Sequence, residues 1–271
     1  MRAPLKLAAI DLDGTLLSPD KTISAENLAA LQQLREAGLE IVVATGRHIT
    51  RIGSIMPFVP DARWVVTCQG AAAHSLQKGE SIHSVHLTPE EANLILKTGE
   101  QLGFSCIIYA EDQVRTLGKG PFIDFYGAYA GGMPQASSPA ELEGLRIHKL
   151  IWLGEEGRID GLPELPEVKA IPLYQIRTHE WIYEFLPRQA SKAVGVAAVA
   201  DLLGIKAEEV VAFGDADNDI PLFQWAGHSF AMPHGMPTAR EAAHEIAPVG
   251  PPESAFARAV ATLHLVPCTL P

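Results

Sequence analysis

Asp11 and Asp13 stand two residues apart at the end of the apolar run 7–10, and Gly14 and Thr15 follow at once. Alternate residues of a strand face opposite ways, but a sharp turn at Gly14 can bring both carboxylates to one opening. Placed so, two carboxylates can hold a divalent cation, and one can attack an electrophile while the other moves a proton. The same residues also fit a plain Asp-Gly turn after a buried strand. Thr45-Gly46-Arg47 directly follows the run IVVA. A hydroxyl and an exposed amide there suit a phosphoryl oxygen, and glycine permits close approach, although a small turn reads the same way. Lys192 opens an apolar helical stretch, a position where most lysines are solvated surface charges. Gly214-Asp215-Ala216-Asp217-Asn218-Asp219 follows VVAF, and its acids repel one another unless a cation sits among them. The DxDxD rhythm does not make an EF-hand, because Ile220 and Ala226 occupy the positions that need Gly and Glu.

The surrounding elements decide what these residues can reach. Residues 5–10 predict a strand, followed by a helix that Ser24 can cap, with Leu28, Leu31 and Leu34 at helical spacing and Gly38 as its stop. A strand at 39–44, a helical stretch closed by Pro57 and a strand at 64–67 come next. In the C-terminal third, a helix at 191–203 precedes a strand at 210–213, and another helix precedes a strand at 229–232. This alternation predicts an α/β fold, a doubly wound parallel (Rossmann-like) sheet covered on both faces. All four segments then fall just past strands or at a helix start, where such sheets place their ligand sites. The middle of the chain differs. Thr88-Pro89-Glu90-Glu91 is a capping box opening a helix to about Gly103, and strand candidates at 104–109, 113–117, 148–153, 168–174 and 181–186 are separated by Gly/Pro loops. That pattern predicts an α+β domain over 81–186 inserted into a core formed by 1–80 and 187–271.

Composition narrows the partners. Of 271 residues, 47% are hydrophobic and 20% charged, and the formal net charge is −11. Such a surface repels nucleic acid. Cys68, Cys106 and Cys268 form no CxxC pair, which fits reduced thiols and a cytoplasmic protein. Lys6 interrupts the first apolar run, so no signal peptide is expected, and no uncharged apolar stretch approaches the ~18 residues of a membrane span. The expectation is a monomer or small homo-oligomer with neither nucleic-acid nor membrane partners.

Taken in order, DxDGT, TGR, the lysine and GDxxND resemble the haloacid dehalogenase (HAD) superfamily of phosphohydrolases, in its Cof-like subclass, whose large α/β cap falls between the second and third motifs. The resemblance spans essentially the whole chain. It implies that Asp11 is the nucleophile forming an aspartyl-phosphate, and that Asp13 protonates the leaving oxygen and then activates water. It also implies that Thr45 and the amides of Leu12 and Gly46 hold the phosphoryl group, that Lys192 pairs with nucleophile and phosphate, and that Asn218 contacts phosphate. Asp11, Asp215 and the Asp13 carbonyl would bind Mg²⁺, with Asp219 supporting the metal. The physics agrees: phosphoryl transfer spreads negative charge over oxygens, so catalysis is mostly positioning plus cations. Two departures stand out. Ala193 replaces the glycine that usually follows the lysine, and Gln69-Gly70-Ala71 replaces Asn-Gly-Ala after the third strand.

The implied function is a Mg²⁺-dependent phosphatase for small phosphorylated metabolites, sugar phosphates foremost, with the cap choosing the substrate. A phosphosugar mutase, or a non-catalytic ligand-binding regulator on the same fold, are the alternatives. Other residues carry milder expectations. Arg47 and His48 would meet substrate or start a helix, and Trp181, Tyr183 and Phe185 alternate as cap core. The Gly-rich loop at 131–133 would be flexible and bear on specificity, and 232–236 would form a loop near the cap hinge.

Overall fold

Leu7, Ala8, Ala9 and Ile10 are fully buried because their strand, Leu7–Ile10, lies inside an eight-stranded sheet. The structure is a computed structural model that describes residues 3–53, 55–60 and 62–265. In spatial order the strands are Glu245–Ile246, His228–Ala231, Val210–Gly214, Leu7–Ile10, Glu40–Ala44, Trp64–Thr67, Ala72–Ser75 and Glu80–Ser84. The first six run parallel. Leu7 pairs in register with both Glu40 and Val210, and Ile10 with both Val43 and Phe213. The carboxyl ends of three strands are therefore level, and Asp11, Thr45 and Asp215 emerge along one edge.

Period-two alternation gives the sheet two apolar faces. Leu7, Ala9, Val42, Ala44 and Val66 pack with Val196, Val199, Leu222, Phe223 and Ala239, which come from helices Lys192–Leu203, Ile220–Trp225 and Pro237–Ala242. On the opposite face, the Phe213 ring meets Phe256 of helix Ala255–Ala261 edge-on at 5.0 Å. That helix packs on Ala25–Glu36, where buried Asn27 donates to Leu16 O and accepts from Ala257 N. Helices on both faces of a parallel sheet make the doubly wound fold.

The described residues group into two compact units, one within Met1–Gly46, Ser54–His83 and Ser191–Pro271, the other within Arg47–Gly53 and Ser84–Ala190. The second unit is a six-stranded, mainly antiparallel sheet in the order Tyr174–His179, Ile182–Leu186, Ile147–Leu153, Ser105–Ala110, Val114–Thr116, Gln135–Ala136. One face buries Ile108, Leu150, Trp152, Tyr183 and Phe185 with Ile95 of helix Pro89–Gln101, which opens at the Thr88 capping box. The intervening positions are mixed: Ile107, Ile151, Ile182 and Leu186 are buried and apolar, whereas Lys149 and Glu184 are charged. Lys149 Nζ bonds Glu184 Oε2 at 2.8 Å, both residues are buried, the ammonium lies 4.4 Å from the Tyr109 ring centre, and Thr178 also donates to Glu184.

Several expectations need correction. Residues 168–174 are not a strand: helix Pro166–Lys169 occupies their start and the strand begins at Tyr174. Val168 and Ile171, three apart, both turn into the apolar cluster, which a helical turn achieves and a strand does not. Among its described residues, the stretch expected to be helical up to Pro57 holds the short 3₁₀ turns Ile49–Arg51 and Met56–Phe58, the second containing Pro57. Beyond Trp64–Thr67 the core sheet continues with Ala72–Ser75, antiparallel to it, and ends at Glu80–Ser84; helices Pro121–Tyr129 and Glu156–Gly161 also go beyond the sequence expectation. Residues 47–53 group with the second unit because His48 Nε2 bonds Ala110 O at 2.7 Å and Arg51 Nη2 donates to Met133 O at 2.9 Å. The same arginine pins the loop at 131–133. Tyr183 and Phe185 enter the apolar core of the unit, and Trp181 is buried as well, although it stands one residue ahead of the strand and packs with Phe125, Tyr129 and His179. Cys68 and Cys106 are free thiols, and burial pushes the Cys106 thiol up to about 12; Cys268 lies outside the described residues. No helix among the described residues is long and apolar enough to cross a membrane.

Lys149→Met leaves the Glu184 carboxylate buried without its ammonium. It should destabilise the fold by about 3–5 kcal/mol, read as a lower denaturation midpoint, and Lys149→Met with Glu184→Leu should recover most of the loss. A single-variant loss within error of zero would show that the pair is not structural.

Candidate active site

The geometry starts at Gly14. Its φ of +86° lies in the left-handed region, and a Cβ there would overlap the Asp215 carboxylate. Only glycine lets the turn after Asp11 close against the loop after Val210–Gly214. The turn is held by Leu17 N donating to Leu12 O at 2.8 Å and Leu16 N to Asp11 O at 3.3 Å. Thr15 Oγ1 donates to Asp215 Oδ1 at 3.4 Å.

Lys192, read in isolation as a surface charge, is buried at the first turn of helix Lys192–Leu203, which Ser191 caps by accepting from Val194 N. Its Nζ donates to Asp11 Oδ1 and Asp219 Oδ1, each at 2.6 Å. Asp219 is fully buried, and its second oxygen accepts from the amides of Asp215 and Ala216 at 3.0 and 3.1 Å. Asp219 thus fixes both Lys192 and the backbone that carries Asp215.

Burial pushes the Asp11 carboxyl well above the usual carboxylate range; Lys192 opposes this, while Asp219 and Asp215 add to it. Burial also pushes Asp215 up to about 7, with the Asp219 charge acting in the same direction. Burial works against charge on Lys192, but Asp11 and Asp219 outweigh it and hold the ammonium's pKa above its ordinary value. Three carboxylates face one ammonium, so the cluster is short of positive charge. Oxygens of Asp11, Asp215 and Asp219 all lie within 4.8 Å of one another. An all-oxygen, electron-rich set of this kind fits a hard divalent cation such as Mg²⁺.

Asp13 stands outside that carboxylate cluster. Its Oδ1 accepts from Lys21 Nζ at 2.8 Å, and both side chains are partly open to solvent. Thr45 is buried, its amide donating to Val66 O at 2.8 Å and its carbonyl accepting from Gln69 N at 3.2 Å. Asn218 Nδ2 donates to Gln69 Oε1 at 2.9 Å. The chain therefore brings Asp11, Leu12, Asp13, Thr45, Gly46, Lys192, Asp215, Asn218 and Asp219 to the same edge of one unit.

Sequence reasoning missed three neighbours. Lys21 reaches back to Asp13 from a residue with φ +64°, which no local pattern signals. His234 Nε2 bonds Gly14 O at 2.8 Å, and Met236 N donates to Asp215 O at 2.7 Å, so the loop 232–236 braces the turns that carry Asp11 and Asp215. Gln69 was visible only as a departure from the usual asparagine. His48 starts a helical turn: its Nδ1 accepts from Thr50 N at 3.3 Å, and burial pushes its pKa down to about 4.

Comparison with known proteins agrees with this geometry. The family profile described as haloacid dehalogenase-like hydrolase matches residues 8–254. A protein of Klebsiella pneumoniae (strain 342) named HMP-PP phosphatase is 30% identical over 234 residues, covering 86% of this chain and 85% of its own. Among solved structures, a haloacid dehalogenase-like hydrolase from B. subtilis aligns with a TM-score of 0.81 at 25% identity, over 97% of this chain and 100% of that one. A HAD subclass IIB sugar phosphatase aligns with a TM-score of 0.84 at 22% identity, over 96% of this chain and 100% of the other. The chain belongs to the haloacid dehalogenase-like hydrolases, in their Cof-like phosphohydrolase branch.

Proposed function

We propose that the chain is a Mg²⁺-dependent phosphatase that hydrolyses phosphomonoesters of small metabolites, sugar phosphates foremost, through an aspartyl-phosphate on Asp11. The observation that carries this reading is the buried Lys192 ammonium, held 2.6 Å from both Asp11 and Asp219 beside Asp215. An anionic nucleophile can approach an anionic phosphoryl group only where fixed positive charge offsets the repulsion.

In the first half-reaction an Asp11 carboxylate oxygen bonds to phosphorus as the ester P–O bond breaks. Asp13 gives its proton to the departing alkoxide. In the second, Asp13 takes a proton from water as that water's oxygen bonds to phosphorus, and the Asp11–phosphorus bond breaks to return the carboxylate and release phosphate. Thr45 Oγ1, the amides of Leu12 and Gly46, and the Asn218 carboxamide donate to the phosphoryl oxygens, and Lys192 offsets their charge. Lys21 holds the Asp13 carboxyl in place through its 2.8 Å bond. The Asp11 and Asp215 carboxylates and the Asp13 carbonyl would hold Mg²⁺, with Asp219 in support, and the ion supplies Lewis-acid neutralisation of the phosphoryl oxygens. Two relatives support phosphatase activity and differ in the compound they are named for: one is an HMP-PP phosphatase, the other a sugar phosphatase. We assign choice of that group to the inserted domain, expected over 81–186.

Asp11→Asn should abolish phosphate release while the chain still folds, because Asp219 keeps Lys192 paired, and Asp13→Asn should slow it by about 10²–10⁴-fold on a substrate with a poor leaving group. Unchanged turnover in either variant contradicts the role given to that residue, and conversion of a sugar phosphate to its isomer without phosphate release would identify a mutase. Chelation should abolish activity, and Mg²⁺ but not Ca²⁺ should restore it, because the larger ion coordinates more loosely and aligns the reacting oxygens poorly. Full activity in excess chelator would remove the metal from the account.

A further inference from the structure

Gln69 occupies backbone that side chains rarely adopt. Its φ is 59°, directly after Cys68 at 51°. Non-glycine residues persist in this left-handed region only when their surroundings over-determine them, and such residues gather at functional sites. The surroundings here are specific. Gln69 N donates to Thr45 O at 3.2 Å, and the next residue, Gly70, lies so close to Ser191 O that a Cβ would overlap it. The buried Gln69 carboxamide lies against Gly46, where a Cβ would come within 2.5 Å of Nε2. Its Oε1 takes the Asn218 Nδ2 hydrogen bond at 2.9 Å. One residue thus touches Thr45, Gly46 and Asn218, three of the groups assigned above to the phosphoryl oxygens.

The bond to Asn218 has a directional consequence. A carboxamide carries two N–H donors on one side and an acceptor oxygen on the other. Gln69 Oε1 accepts one Asn218 N–H, which leaves the second as a donor for an anion. With Gln69 held as it is, a flipped Asn218 would set two oxygens against each other and offer an acceptor to phosphate. Asn218 Oδ1 is buried without a hydrogen-bond partner, so Asn218 is not oriented through its oxygen. Reach matters too: asparagine at position 69 is shorter by one methylene, about 1.5 Å, too short to pack on Gly46 and still meet Asn218.

We propose that Gln69 is a positioning residue for the phosphoryl group, fixing the Asn218 carboxamide with its donor turned to phosphate and holding Gly46 in place; this rests on the phosphatase reading above. The test measures orthophosphate binding by calorimetry, with and without Mg²⁺, in the wild-type chain and in Gln69→Leu, Gln69→Asn, Asn218→Ala and Gln69→Leu/Asn218→Ala. Gln69→Asn keeps an amide and tolerates left-handed backbone, so it tests the role even where Gln69→Leu does not fold. Loss of one such hydrogen bond should weaken phosphate binding about tenfold. With para-nitrophenyl phosphate, KM should rise by a similar factor while kcat changes less, as expected when substrate and transition state lose the same contact. In the Asn218→Ala background, Gln69→Leu should cost clearly less than it does in the wild-type chain, because the route through Asn218 is gone and only the packing on Gly46 remains. The Asn218 side-chain amide resonances should also shift in Gln69→Leu, a readout independent of turnover. Wild-type phosphate binding that neither Gln69 variant alters, or fully additive effects with Asn218→Ala, overturns the role of Gln69 alone. A wild-type chain that binds no orthophosphate overturns the phosphatase reading, and the role of Gln69 with it.

Discussion

A lysine ammonium taken out of water is tolerable only where carboxylates surround it, and Lys192 meets that condition through Asp11 and Asp219 at 2.6 Å each. The pairing works in both directions. It lets a cation sit at a helix start in the core of an α/β unit, and it holds the Asp11 carboxylate in place at the edge of the sheet. The balance is incomplete by one or two charges, since Asp215 joins the same opening. That deficit of positive charge is what suits the opening to a bound cation. The residues around it serve the same arrangement: Ser191 caps the helix that presents Lys192, and Gly70 admits the Ser191 carbonyl where any side chain would collide.

Sheet register puts these groups within reach of one another. Ile10 is level with Val43 on one side and Phe213 on the other, so the three following loops leave the sheet together. Close packing between those loops then sets the fine geometry. Gly14 abuts Asp215, Gly46 abuts Gln69, and Asp219 ties Asp215 and Ala216 amides back to Lys192. The loop 232–236 adds a brace at Gly14 and Asp215 from the next strand along. Such contacts matter where reacting atoms must be aligned, because a misplacement of about 1 Å can cost about 10²-fold in rate.

Legibility from sequence followed the range of the interactions. Elements built from local signals were readable: the Ser24 and Ser191 caps, the Thr88 capping box and the Trp64–Thr67 strand lie where residue types place them. The clustering of Asp215 and Asp219 with Asp11 was readable, because several acids so close in sequence repel one another unless a cation joins them. Where short apolar runs could serve two periods, tertiary packing decided, and Val168 and Ile171 went to a helical turn instead of a strand. Contacts between distant segments left no local trace. Lys21 on Asp13, Gln69 on Asn218 and Arg51 on Met133 all depend on how loops cross, and two of the residues concerned hold left-handed backbone that only the fold imposes.

The central claim is that Asp11 itself becomes phosphorylated. The most direct measurement is to mix substrate carrying a radiolabelled phosphoryl group with Asp13→Asn, in which the second half-reaction is slowed, quench in acid, and locate the label by peptide mapping. The account predicts label on the peptide containing Asp11, appearing at the rate of the first half-reaction and absent from Asp11→Asn. Turnover that proceeds with no label ever reaching Asp11 would mean that water attacks phosphorus directly, and would contradict the account.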